Sequence, residues 1–139
     1  MKILFICPTF ESLAIEYLSA FLKSKGHDTA LVMDFRLFND TISYRPFFAQ
    51  LCDQTRLIIN EVCAQDPDLI GFSVTTDTAR WAYGLSEAIK KEKDIPIVWG
   101  GIHPSSVPEV VMGYQCVDYV IQGEGEEALH DLVVALDTG

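Results

Sequence analysis

Five short apolar runs, each separated from the next by a segment of helical periodicity, leave this chain few folds to choose from. The runs cover residues 2–7, 29–33, 69–74, 95–99 and 118–121. They are apolar along most of their length rather than at alternate positions, as strands covered on both faces must be. Between them, apolar residues recur three and four positions apart. The stretch 13–25 carries Leu13, Tyr17, Leu18, Phe21 and Leu22 on one stripe, with Ser12 as N-cap and Gly26 as stop. Residues 47–65 carry Leu51, Thr55, Ile58, Ile59, Val62 and Cys63 on one side, and Asp66-Pro67-Asp68 breaks the helix. Thr75-Thr76-Asp77-Thr78 opens a further helix, through about Glu92, with Trp81, Leu85, Ala88 and Ile89 inward. Its lysine-rich last turn suits the helix dipole. A short helix near 108–112 and a final one over 127–136 complete the pattern, and residues 39–46 read as a polar loop.

Strands that alternate with helices build a parallel sheet with helices on both faces. The expected architecture is therefore an α/β, doubly wound, five-stranded sheet in the flavodoxin-like order 2-1-3-4-5. At 139 residues the chain makes one domain. With 49% hydrophobic and 22% charged residues it can close a core without a disulfide or a metal. A net charge of −10 excludes electrostatic binding of nucleic acid or an anionic membrane, since both need a basic face. No apolar run approaches the ~20 residues that span a bilayer, and the apolar start is too short for a signal peptide. A cytoplasmic setting is expected, with Cys7, Cys52, Cys63 and Cys116 as reduced thiols far apart in sequence. Of these, Cys7, Cys52 and Cys63 are expected to be buried and inert.

Ligands of such sheets bind beyond the carboxyl ends of the strands, where the strand order reverses. Attention falls on the loops at 8–11, 73–77, 100–104 and 123–126. A dinucleotide fingerprint is absent, because Pro8-Thr9-Phe10-Glu11 stands where G-x-G-x-x-G belongs. No P-loop exists, and Cys7-Pro8 and Val74-Thr75 replace the acidic cluster of a phospho-receiver. There is no Ser-His-Asp grouping, no H-E-x-x-H and no metal-ligand cluster, so no catalytic residue or metal site is assigned.

What remains is a set of small and polar residues. Gly100-Gly101 either admits a flat ligand or makes a tight turn at positive φ. Ser73 is placed to bond a buried heteroatom of a ligand or, more simply, nearby backbone. His103, before Pro104, is a solvated loop histidine or a ligand contact. In Gly123-Glu124-Gly125-Glu126, the helix dipole accounts for Glu126 and Glu127 but not for the glycines around Glu124.

Taken together, Gly100-Gly101-Ile102-His103-Pro104 with Pro108-Glu109, Asp118-Tyr119-Val120 and Gly123-Glu124-Gly125-Glu126 resembles the N-terminal domain of cobalamin-dependent radical-SAM enzymes. Glu16-Tyr17-Leu18 through Gly26-His27 is similar to that family's first helix and turn, so the resemblance spans nearly the whole chain. It implies that the corrin ring of cobalamin lies on the carboxyl ends of the strands. The nucleotide tail then slots into the sheet near the first and third strands. Ser73, Val74 and Thr75 line that channel, Gly100 and Gly101 give it room, and Gly123 and Glu124 border the cofactor or the next domain. Pro8, Thr9 and His103 complete the implied cofactor-binding set.

The resemblance also implies a longer parent, of which residues 1–139 are the N-terminal piece. Its C-terminal radical-SAM domain would hold S-adenosylmethionine and a 4Fe-4S cluster and carry the catalysis, with methyl transfer as a candidate reaction.

Two departures bear on this reading. The D-x-H-x-x-G motif that supplies an axial histidine in the methionine-synthase type is replaced by Phe10-Glu11-Ser12-Leu13, and C-x-x-x-C-x-x-C is absent. The axial-histidine departure keeps a second reading open, a scaffold or interaction domain of the same fold that no longer binds cobalamin. Phe10 and Trp99 are large enough to plug such a channel. A flavin-binding domain is a third reading, disfavoured because no phosphate-cradling loop follows the first strand.

Overall fold

The computed structural model describes residues 1–8, 12–35 and 54–138. Five parallel strands form one sheet in the order β2-β1-β3-β4-β5, as the alternation of runs requires. They are β1 (Lys2–Pro8), β2 (Asp28–Asp34), β3 (Leu69–Ser73), β4 (Ile97–Gly100) and β5 (Tyr119–Val120). The described helices are α1 (Leu13–Ser24), α2 (Thr55–Gln65), α3 (Ala79–Glu92), α4 (Ile102–Ser106), α5 (Pro108–Met112) and α6 (Glu126–Thr138).

The strand period of two sorts side chains between two cores. Leu4 and Ile6 of β1, Ile70 and Phe72 of β3 and Ile97 and Trp99 of β4 point to one face. There they meet Ile58 and Val62 of α2 and Leu85 and Ile89 of α3. Ile3, Phe5 and Cys7, with Leu69 and Val98, point to the other face and meet Ile15 and Leu22 of α1 and Leu129 and Val133 of α6. Both faces of the central strands are thus dry, which is why their runs are apolar without alternation.

Local signals set several boundaries. The Ser12 hydroxyl accepts a hydrogen bond from the Ile15 amide at 3.4 Å, capping α1, and Gly26 follows the helix end at φ +90°. At the end of α2, Asp66 takes the left-handed conformation at φ 46°. Its carboxylate pairs with Lys93; the hydrogen bond and the charges hold the carboxyl below its usual range and the amine above.

Four expectations need correction. Of residues 75–78 only Thr78 opens α3, as its N-cap; 75–77 form a turn, because the Thr78 hydroxyl bonds the Thr75 backbone and hydroxyl, and this local turn competes with helix. An additional helix, α4, precedes the one expected near 108–112. Cys63 is exposed rather than buried, since only Ile58 and Val62 of α2 are fully buried. Leu13 and Tyr17 also lie outside the α1 core, 80% and 65% exposed, because α1 packs through Ile15 and Leu22. Cys7 is buried as expected, and desolvation pushes its thiol pKa up. The expected loop at 39–46, the first part of the helix expected over 47–65, Cys52, Thr9 and Phe10 lie outside the described residues.

Candidate functional site

The reversal of strand order falls between β1 and β3, and a groove of about 180 Å³ opens on the α1/α6 face beside it. The sheet supplies its floor through a run of small residues. On that face β3 presents Leu69, then Gly71, then Ser73, while β4 presents Val98, then Gly100. Side chains therefore shrink toward the carboxyl ends, and α1 and α6 span a slot there instead of closing on a packed sheet. Ala14, Ile15 and Leu18 of α1 form one wall, and Gly123–Glu126 with Leu129 form the other. The walls are largely apolar; the carboxylates of Glu124 and Glu126 stand on the α6 side, where the helix dipole favours them.

The glycines here do different things. At Gly71 a Cβ would stand 3.0 Å from two ring carbons of Phe5, so the missing side chain is what lets the Phe5 ring approach β3. Gly100 has only the Ile121 Cβ near its own missing Cβ, at 3.9 Å, and so contributes open space. Gly101 lies at φ +103°, and a Cβ would meet the Val74 carbonyl oxygen at 2.9 Å and its nitrogen at 3.0 Å. Its role is backbone approach. Gly100 O accepts from Val74 N at 2.8 Å and Val74 O accepts from His103 N at 3.1 Å, so the loops after β3 and β4 are stitched together.

Of the ten residues expected from sequence, Ser73, Gly100, Gly101, Gly123 and Glu124 converge on the slot. Ser73 does not bond nearby backbone: among the described residues nothing hydrogen-bonds its hydroxyl, and it faces the slot half-buried. The Val74 side chain is fully buried in the opposite core, so only its backbone serves this edge. Thr75 is exposed and donates its hydroxyl to Asp77. His103 stands 3.4 Å from the Thr76 hydroxyl, outside the slot lining, and Pro8 ends β1 half-buried. Thr9 is outside the described residues.

Trp99 does not plug the slot. It points to the α2/α3 face, fully buried, and donates its indole N–H to Ser86 at 3.1 Å. Sequence reasoning missed Phe5, Gly71 and Leu18 as slot residues. Gly71 had a usable signal, an isolated glycine inside an apolar strand. Gly125 lay in the loop the sequence marked, but its meeting with Leu18 had no signal, since it depends on how α1 and α6 cross the sheet.

The fold agrees with what the chain is similar to. Over 76 residues, 53% of its length, it is 37% identical to an uncharacterized methyltransferase of Pyrococcus horikoshii. Over its whole length it is 28% identical to the anaerobic magnesium-protoporphyrin IX monomethyl ester cyclase of Rubrivivax gelatinosus. The chain spans 17% and 25% of the length of these relatives. Among solved structures, the N-terminal domain of a response regulator/sensory box/GGDEF protein from Carboxydothermus hydrogenoformans superposes with a TM-score of 0.59 at 17% identity. That match covers 98% of this chain and 93% of the other, and at such identity it speaks to fold alone. The family described as the B12 binding domain matches residues 7–133, nearly the whole chain, and the chain belongs to that family.

Proposed function

We propose that this domain holds cobalamin by its nucleotide tail in the slot between α1 and α6 and presents the corrin to a radical-SAM catalytic domain of the same polypeptide. The observation that carries the reading is the tapering floor, Gly71, Ser73 and Gly100, on an otherwise tightly packed sheet. An aromatic base needs such a place: flat, apolar walls and few side chains, with one hydroxyl for a ring nitrogen. Ser73 supplies that hydroxyl, and Phe5, Leu18 and Leu129 supply apolar surface.

When bound, cobalamin supplies a cobalt centre able to carry a methyl group. The work of this chain is to bind, to orient and to keep water from the tail. Exposed apolar groups at the start of α1 and of α4, Leu13, Tyr17 and Ile102, offer the corrin or the neighbouring domain a surface to cover. In this reading S-adenosylmethionine, the 4Fe-4S cluster and catalysis belong to the second domain, in a cytoplasmic enzyme. Methyl transfer is the favoured reaction; the relative whose name states methyltransferase supports it.

Titration with hydroxocobalamin, followed by visible absorbance and gel filtration, tests the reading. Saturable, co-eluting corrinoid is expected, and Ser73→Ala weakens it by up to about tenfold, the cost of one hydrogen bond. A chain that binds no corrinoid, alone or within its longer parent, would make this a scaffold domain that has kept the shape only.

A further inference from the structure

Ser105 holds a place that the binding reading leaves unused. It sits in α4, outside the slot, yet its hydroxyl touches two of the loops that shape it. Ser105 Oγ donates to the Gly101 carbonyl at 2.8 Å and accepts from the Gly123 amide at 3.0 Å. One hydroxyl thus uses its donor and an acceptor lone pair at once, which fixes its direction.

The loop it reaches is tied at its two ends, by Ile121 N to Trp99 O at 2.9 Å and by Gly125 O to Leu129 N at 2.8 Å, and Gly123 lies between them. Gly123 is exposed at φ +73°, and a Cβ built there would find no atom within 4 Å, so its side-chain position faces open space. Glu124 beside it is exposed. Two residues on, Gly125 comes close to Leu18 of α1, where a Cβ would meet Leu18 Cδ2 at 3.2 Å. The wall of the slot at 123–126 therefore runs from an exposed glycine with open space on its side-chain position to one set closely against Leu18. On the other side of Ser105, Gly101 is locked against the Val74 backbone and so to the end of β3.

We infer that Ser105 is a positioning residue for the tail slot, a clasp that carries the rigid frame of β3 and β4 to the Gly123–Gly125 wall. The inference rests on the slot being the site of the cobalamin tail. It acts through Gly123 rather than by touching the ligand, so its effect falls on ligands that carry a tail.

The test compares Ser105→Ala and Ser105→Thr with the unaltered chain, using hydroxocobalamin and the tail-less corrinoid cobinamide, with amide exchange read at Gly123. Ser105→Ala is expected to raise the hydroxocobalamin Kd roughly fivefold to tenfold, the scale of one lost hydrogen bond. Cobinamide affinity stays within about twofold on the same scale, exchange at Gly123 speeds up, and Ser105→Thr, which keeps the hydroxyl, restores both. Unchanged exchange at Gly123, or equal losses for the two corrinoids in Ser105→Ala, would overturn the clasp; equal losses would mark general damage to the fold. Failure of the unaltered sequence to bind hydroxocobalamin, both alone and within its longer parent, would overturn the cobalamin reading, and the clasp with it as a determinant of tail binding.

Discussion

A glycine can be required because something else occupies the space of its side chain, or because a ligand will. Gly101 is of the first kind. Its φ of +103° and the Val74 backbone at 2.9 Å from a Cβ leave alanine no accommodation, since a carbonyl tied into the sheet edge cannot yield as a side chain can. Gly101→Ala should destabilise the fold by about 1–3 kcal/mol, seen as a lower urea midpoint with unchanged slope. Gly71 differs, because the atoms a Cβ would meet are ring carbons of Phe5. The ring must tilt toward the slot, so Gly71→Ala should cost about 1–3 kcal/mol by overpacking and also weaken hydroxocobalamin. A variant that loses stability and keeps full affinity would show that the Phe5 ring does not border the ligand.

At the scale of elements, the turn from α1 into β2 holds a histidine whose burial should give a pH response. His27 packs its ring 5.5 Å from that of His130 on α6, and its Nε2 is buried with no hydrogen-bond partner among the described residues. Desolvation lowers its pKa first; the positive chain terminus and His130 add to this, and Asp137 opposes them. The unfolded chain therefore takes up the proton more readily than the folded one. The stabilisation is complete above the ordinary histidine pKa of about 6.5 and is lost as pH falls through the lower, folded value. Urea midpoints between pH 7.5 and 5.5 should accordingly fall less steeply in His27→Gln than in the unaltered chain. Equal slopes would remove His27 from the acid response. The Asp66–Lys93 pair at the end of α2 should show no effect in the same experiment, because the carboxyl is held below its ordinary range and the amine above its own, so both stay charged throughout.

For the whole molecule, stability grades outward from the middle of the sheet. Ile3, Leu4 and Ile6 of β1 and Leu69 and Ile70 of β3 are fully buried between two helical layers, whereas β2 at the edge exposes Leu31 and Met33. Amide exchange should be slowest in β1 and β3 and faster in β2 and β5. Protection that instead peaks in the helices would mean that the sheet is not the last unit to open. Hydroxocobalamin should slow exchange at the carboxyl ends of β3 and β4 and along 123–126, where the slot is, without changing the order among the strands.

The sequence by itself determined the layer architecture, because apolar runs without alternation can be satisfied only between two helical faces, and 2-1-3-4-5 is a common way to wind five such strands. It also marked the loops at 73, 100–101 and 123–124, since small and polar residues at strand ends stand out against a hydrophobic background. Only the tertiary structure decided which of these residues meet. Parity along β3 sends Ser73 to the α1/α6 face and Val74 to the other, and the same parity in β4 turns Trp99 away from the slot that Gly100 opens. A one-dimensional pattern carries period and propensity, but the crossing of α1 over the sheet, which sets Leu18 against Gly125, is a packing compromise among residues distant in the chain. The Ser105 clasp has the same origin: a hydroxyl in a short helix becomes a joint only when two other loops arrive within 3.0 Å of it.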